Sequence, residues 1–184
     1  VIQIGLHSGG RMTVTDSTAD VSQVTPHDLA YGLAHVTRFG GQAGAYSVAE
    51  HSVRLYDWLL ARGYTPSTRL AALLHDAPEC LGEGDHQRFV KRAFFGDGPA
   101  RYADMVCTAL WAKFRRTPSC SGAIRHDIIK PFDARLGEAE GHAFGLLTRA
   151  APDDEADVFA PSRRVRYSAR TVIAEYLKRW EAVT

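Results

Sequence analysis

Three short stretches of this chain put imidazoles and carboxylates where they could share a cation. The densest is Leu73-Leu74-His75-Asp76-Ala77-Pro78-Glu79. His75 and Asp76 end an otherwise apolar helical run. Adjacent helical residues point about 100° apart, so both reach one ion only if it lies between them, near the helix surface. An ionised Asp in such surroundings is costly unless it is paired or metal-bound. Glu79 lies on the same face, one turn beyond the pair, placed to act as a base or to orient a water. The competing reading of this stretch is an ordinary salt-bridged helix end.

His51 is the second candidate, in Ser47-Val48-Ala49-Glu50-His51-Ser52-Val53. Val48 and Leu55 turn it inward. A lone inward histidine is more often a satisfied core residue, unless His75 and Asp76 pack opposite. Asp133 is the third, in Ile129-Lys130-Pro131-Phe132-Asp133-Ala134-Arg135-Leu136, and alone it reads as a capping acid. Together the three stretches offer two imidazoles and two carboxylates. That set suits a borderline divalent ion such as manganese, cobalt, iron, nickel or zinc. Two further His-Asp pairs are weaker. His27-Asp28 follows Pro26 at a helix start, where Asp serves as a cap. His126-Asp127 sits in a polar stretch without an apolar lead-in.

These residues need helices to hold them. Apolar periodicity predicts helices near 27–37, 47–62 and 66–80, the third opened by Thr65-Pro66. Gly82 and Gly84 break the third, and Asp85 caps a fourth near 86–95. Pro99 opens a fifth, to about 116. A sixth covers about 121–148, where Pro131 and Gly137 are expected to kink or divide it. Residues 150–161 read as an acidic loop, and 162–182 as the last helix. In that helix Tyr167, Val172, Ile173, Tyr176, Leu177 and Trp180 either form an interface or cover the core. Residues 1–25 read as a hairpin or loop packed on the body. The fold class expected is all-α, a compact helical bundle with little or no sheet.

The chain has 184 residues, enough for one domain with one core. The expected organisation is a single domain over 1–184, with its helical core at 26–148. A formal net charge of +1 gives no global field toward nucleic acid or anionic membrane. No apolar run approaches the roughly 18 residues needed to span a bilayer. Cys80, Cys107 and Cys120 form no C-x-x-C pair, which argues against a zinc knuckle or disulfide framework. With no signal-like start in Val1-Ile2-Gln3-Ile4, the expected setting is cytoplasmic.

The order His51, His75-Asp76, Asp133 resembles the H…HD…D signature of HD-domain phosphohydrolases. Arg38-Phe39-Gly40-Gly41, then Tyr46-Ser47-Val48-Ala49-Glu50-His51-Ser52, then Leu74-His75-Asp76-Ala77-Pro78-Glu79 resemble its small bacterial and phage branch more closely. That branch includes 5′-deoxynucleotidases and phage enzymes that hydrolyse deoxyadenosine triphosphate. The likeness runs from about Gly5 to Glu140. It implies an HD-type helical bundle, with His51, His75, Asp76 and Asp133 as metal ligands and Arg38 as the phosphate-binding arginine. It implies Glu79 as the catalytic glutamate, and Asp85 and Lys91 as a further acid and a phosphate-contacting lysine. Here Leu81-Gly82-Glu83-Gly84 is one residue longer than usual, and His86-Gln87-Arg88-Phe89 replaces the usual prolines.

The function implied is metal-dependent hydrolysis of deoxynucleotides, with a metal-activated water attacking phosphorus and Co2+, Mn2+ or Zn2+ as cofactor. A monophosphate site would make it a 5′-nucleotidase. A triphosphate site would make it a triphosphohydrolase, for which Arg54, Arg88 and Arg92 are candidates to meet the extra charge. Base and sugar contacts are expected from around His35, Phe39, Tyr46 and the 81–89 loop. The expected partners are a small nucleotide substrate and further copies of the chain in a homo-oligomer, with no stable nucleic acid and no membrane. The alternatives are an HD nuclease or cyclic-nucleotide phosphodiesterase, and a non-catalytic module that binds metal and nucleotide.

Overall fold

A computed structural model describes residues 1–83, 96–115, 124–147, 159 and 167–184. It opens with three short antiparallel strands: β1 (Ile2–Gly5), β2 (Arg11–Val14) and β3 (Ala19–Asp20), in the order β1-β2-β3. Ile2 pairs with Val14 and Gly5 with Arg11. Strand alternation turns Met12 and Val14 into the core. The chain is therefore mostly helical but not purely α. The hairpin expected at 1–25 carries a third strand, because Thr15 and Thr18 close a second tight turn (Thr15 N–H to Thr18 O, 2.9 Å).

Six helices follow. Helix α1 (Pro26–His35) starts with Pro26 in its first turn and a capping box. Thr25 accepts the Asp28 N–H, and Asp28 accepts the Thr25 N–H in return. Asp28 also takes the Ser8 N–H at 2.7 Å, tying the hairpin loop to α1. Its expected role as a cap is what is seen. Helix α2 (Val48–Ala61) is capped by Ser47 and ends at Gly63, whose φ of 73° closes the terminus. Helix α3 (Pro66–Leu74) is capped by Thr65. Helices α4 (Gly98–Arg115), α5 (Lys130–Ala143) and α6 (Ala169–Glu181) complete the set.

Helix α2 is central, in contact with α1, α3, α5 and α6. Its apolar face (Val48, Leu55, Trp58, Leu59) is fully buried. Each such side chain contributes roughly 1.5–3 kcal/mol of burial. In α6, Val172, Tyr176 and Trp180 are buried, so this helix covers the core.

Two expected helices change. Helix α3 stops at Leu74 rather than near residue 80, and a wide π-type turn over Glu79–Glu83 follows. The expected sixth helix resolves into a π-type turn at Ile124–Ile129 and α5, with Pro131 in the first turn of α5. Gly137 neither kinks nor divides α5. Instead its missing side chain makes room for Arg38, whose Nη2 would lie 3.4 Å from an added Cβ. The expected fourth helix lies outside the described residues, as do Asp85, Lys91, Arg88, Arg92 and Cys120. No helix among the described residues is long and apolar enough to cross a membrane.

Candidate metal centre

The cap at Ser47 sets the phase of α2 so that His51, one turn in, faces α3 and α5. Its ring lies 5.4 Å from that of His75, centroid to centroid. His75 and Asp76 sit just beyond the end of α3, and Asp133 lies in the first turn of α5. His51 Nε2 is 3.0 Å from Asp133 Oδ1. His75 Nε2 is 3.0 Å from Asp76 Oδ2 and 3.8 Å from Asp133 Oδ1. One ligand atom from each of the four residues lies within 4.8 Å of all the others. Both histidines are buried and both aspartates partly so.

The outer nitrogens of the two rings are already engaged. His51 Nδ1–H donates to Glu140 Oε1 at 2.7 Å, and His75 Nδ1–H donates to the Ala72 carbonyl at 2.7 Å. That leaves both Nε2 atoms buried, aimed into the cluster and without a hydrogen-bond partner of good geometry. A metal-ligating histidine is ordinarily held in this way, one nitrogen donating to an acceptor and the other toward the ion. The donor set and these two nitrogens fit a metal ion, and the four residues form a group able to hold one.

Helix α3 presents the His-Asp pair because its last carbonyls are met from outside the helix. The last four carbonyls of any helix lack an intrahelical partner. Here Ala72 O takes His75 Nδ1–H, and Leu73 O takes the Tyr176 hydroxyl at 2.5 Å. Leu74 O and His75 O both face Cys107 Sγ at 3.6 Å. The following turn is pinned by the Tyr102 hydroxyl, which donates to Leu81 O. Glu79 begins this turn, partly buried, with its N–H on Asp76 O at 3.0 Å. At Gly82, φ is 113° and an added Cβ would meet Ile4 at 3.1 Å, so only glycine fits against the sheet.

Arg38 enters from a tight loop. Val48 N–H to Val36 O and Arg38 N–H to Tyr46 O, each 2.9 Å, close its base. Inside it, Phe39 and Gly40 adopt left-handed backbone (φ 55° and 60°), which costs a non-glycine residue of order 1 kcal/mol. Arg38 Nη1 reaches Asp76 Oδ2 at 3.4 Å and its Nε reaches Glu140 Oε2 at 3.3 Å. The Phe39 ring lies under the guanidinium (5.5 Å) and edge-on to Phe144 (6.4 Å).

Burial opposes charge on every group here, and the charges hold one another. At His75, burial is outweighed by the nearby Asp76 and Asp133 carboxylates, leaving a pKa of about 10. His51 is depressed by burial and by Arg38, but Glu140 and Asp133 raise it above the ordinary value. Burial pushes Asp133, Asp76 and Glu140 up. The close approach of both histidine rings nonetheless holds Asp133 well below the carboxylate range. The His75 charge holds Asp76 below it, and the His51 and Arg38 charges do the same for Glu140. Arg38 stays charged, its burial outweighed by Glu140 and Asp76.

No known family model matches the chain. An uncharacterized protein of Rhodobacter capsulatus is 42% identical over 152 residues, which cover 79% of this chain and 74% of that protein. The chain belongs to the same family as that protein.

The four expected ligands and Arg38 come together, but other expected site residues do not. His35 lies on the exposed end of α1, its Nδ1–H on Tyr31 O at 2.8 Å and its ring tilted against Tyr31, which itself stacks on His7. Tyr46 is fully buried with its hydroxyl on Glu140 at 2.5 Å, which removes it from substrate contact. Arg54 is engaged by Glu50 at 2.7 Å and by Phe159 O at 3.1 Å. Of the decoys, His27 stacks beside His7 and Tyr31, and His126 Nδ1 lies 3.2 Å from Lys130 Nζ. Cys80 and Cys107 are free thiols pushed by burial to pKa values of about 12. Sequence reasoning misses Glu140. Its signal was its place two helical turns after Asp133, on the same face of α5.

Proposed function

We propose that this chain is an HD-type, metal-dependent phosphohydrolase acting on deoxynucleoside mono- or triphosphates. The observation that carries the reading is the pair of buried, inward His51 and His75 Nε2 atoms facing two carboxylates, with the charged Arg38 alongside. Cobalt, manganese or zinc, held by His51, His75, Asp76 and Asp133, would acidify water and offset phosphate charge.

The chain's own residues supply the rest. Arg38 offers a planar guanidinium with several donors and grips phosphate oxygens at the edge of the ligand set. Its carboxylate neighbours hold it in place beforehand, so little ordering is needed when the anion arrives. Glu79, in the turn just beyond the His-Asp pair, takes the proton from the attacking water. Phe39, beside the guanidinium, supplies an apolar wall for the sugar or base. Asp85 and Lys91 extend this set in the sequence pattern.

The test is product analysis. Metal-stripped protein, with cobalt, manganese or zinc restored singly, is incubated with the four deoxynucleoside mono- and triphosphates, cyclic nucleotides and an oligonucleotide. Nucleoside plus phosphate identifies a 5′-deoxynucleotidase, and nucleoside plus intact triphosphate a triphosphohydrolase. Turnover confined to cyclic nucleotides or oligonucleotides would replace this reading with a phosphodiesterase or nuclease. No turnover with any metal, in protein that binds metal, would overturn the enzyme reading.

A further inference from the structure

We propose that Glu140 is the positioning residue of the metal centre: it sets the His51 ring so that Nε2 can ligate, and Tyr46 and Arg38 hold it to that task. The His51 imidazole lies between two carboxylates, Asp133 Oδ1 at 3.0 Å from Nε2 and Glu140 Oε1 at 2.7 Å from Nδ1. A neutral ring carries one proton. If that proton sits on Nε2, His51 donates to Asp133 and has no lone pair for an ion. If it sits on Nδ1, His51 donates to Glu140, and Nε2 is free to ligate. Glu140 is the only one of the two carboxylates whose hydrogen bond is compatible with ligation.

The carboxylate is built into its place. Glu140 is fully buried, where an unpaired charge is strongly disfavoured. Two hydrogen bonds and an ion pair meet it: His51 Nδ1–H and the Tyr46 hydroxyl donate to Oε1, and the Arg38 guanidinium lies alongside, Nε 3.3 Å from Oε2. A well-packed apolar residue would serve stability as well or better. Glu140 shares one face of α5 with Asp133 and Gly137, so one helix carries a ligand, the carboxylate that orients another ligand, and the gap that admits Arg38. The metal half of this inference stands without the phosphohydrolase reading. The Arg38 half rests on it, since the same carboxylate then fixes the phosphate-binding cation relative to the ion.

Cobalt(II) binding tests it. Affinity is measured by chelator competition, and the visible d–d spectrum is recorded, for wild type, Glu140→Gln, Tyr46→Phe and the control Glu138→Gln, with thermal melts of each metal-free protein. Mutating the partner of a metal-bound histidine weakens affinity by roughly 10–100-fold, and Glu140→Gln, which replaces the carboxylate by a neutral and weaker acceptor, is expected to lose that much, with an altered spectrum. Tyr46→Phe removes one of the two hydrogen bonds to Glu140 and should cost roughly 2–10-fold, the worth of one hydrogen bond. Glu138→Gln should match wild type. Wild-type affinity and spectrum in a folded Glu140→Gln would overturn the inference while the metal site stands. If Glu140→Gln does not fold, an unchanged affinity in Tyr46→Phe overturns it instead. A wild-type protein that takes up no cobalt would bring down the metal site and this inference together.

Discussion

Replacing Tyr176 by Phe removes one oxygen atom, remote in sequence from the metal centre, and should be felt there. The Tyr176 hydroxyl is fully buried and donates to Leu73 O at 2.5 Å, in the last turn of α3, two residues before His75. That carbonyl belongs to the set that a helix end leaves without internal partners. Without the hydroxyl it is buried and unmet, at a cost of about 1–3 kcal/mol. In a domain of this size each kcal/mol lowers Tm by roughly 2–4 °C, so the metal-free protein should melt about 2–12 °C lower. The ring itself stays, so packing against Trp180 is kept, and the change isolates the hydrogen bond. The loosened helix end also carries the His-Asp pair, so cobalt affinity should fall in the same variant. Thermal melts followed by circular dichroism, with a cobalt competition titration, read both effects. A Tm and a cobalt affinity equal to wild type would refute the claim that capping of α3 from α6 positions the ligands.

Metal uptake should release protons, because His75 in the metal-free protein keeps its proton to about pH 10 and must lose it to ligate. Apparent cobalt affinity should therefore rise with pH, by up to roughly tenfold per unit for each proton displaced, and level off above that pKa. Calorimetry in buffers of different ionisation enthalpy checks this, and a pH-independent affinity contradicts it. Gly137→Leu should push the Arg38 guanidinium off α5, since an added Cβ already lies 3.4 Å from Nη2. Phosphate should then perturb the cobalt spectrum only at higher concentration, with cobalt affinity little changed. Gly32→Ala should lower the melting temperature, because its Cβ would meet Cys80 Cβ at 2.8 Å, an overpacking worth about 1–3 kcal/mol. Lys113→Met should also destabilise, since Nζ gathers the Val21, Ser22 and Val24 carbonyls at 2.5–3.0 Å and holds the turn that leads into α1. Denaturant melts check both.

That His51, His75, Asp76 and Asp133 cluster was legible from their order along the chain, which resembles the H…HD…D pattern. Locally only the His75-Asp76 pair breaks an apolar run, since His51 alone reads as a core histidine and Asp133 alone as a capping acid. The helix starts at Pro26, Val48 and Pro66 were legible too, since Thr25, Ser47 and Thr65 cap them through bonds three residues long. What was hidden depends on distant residues. The end of α3 at Leu74 is set by Tyr176 and Cys107, far along the chain. Gly137 reads locally as a helix breaker, yet tertiary packing uses it as a gap for Arg38. Tyr46 was read as a base or sugar contact, because nothing near it announces the buried Glu140 that takes its hydroxyl. The third strand is two residues long, too short for a periodic pattern to show.

The central claim is that four side chains from three helical segments meet one ion. Anomalous scattering at the cobalt edge from crystals grown with cobalt tests it most directly. One strong peak is predicted, about 2.0–2.2 Å from His51 Nε2 and His75 Nε2 and bonded to an oxygen each of Asp76 and Asp133. A peak elsewhere, such as at the exposed His7–His27 pair, or none in protein that keeps this fold, would contradict it.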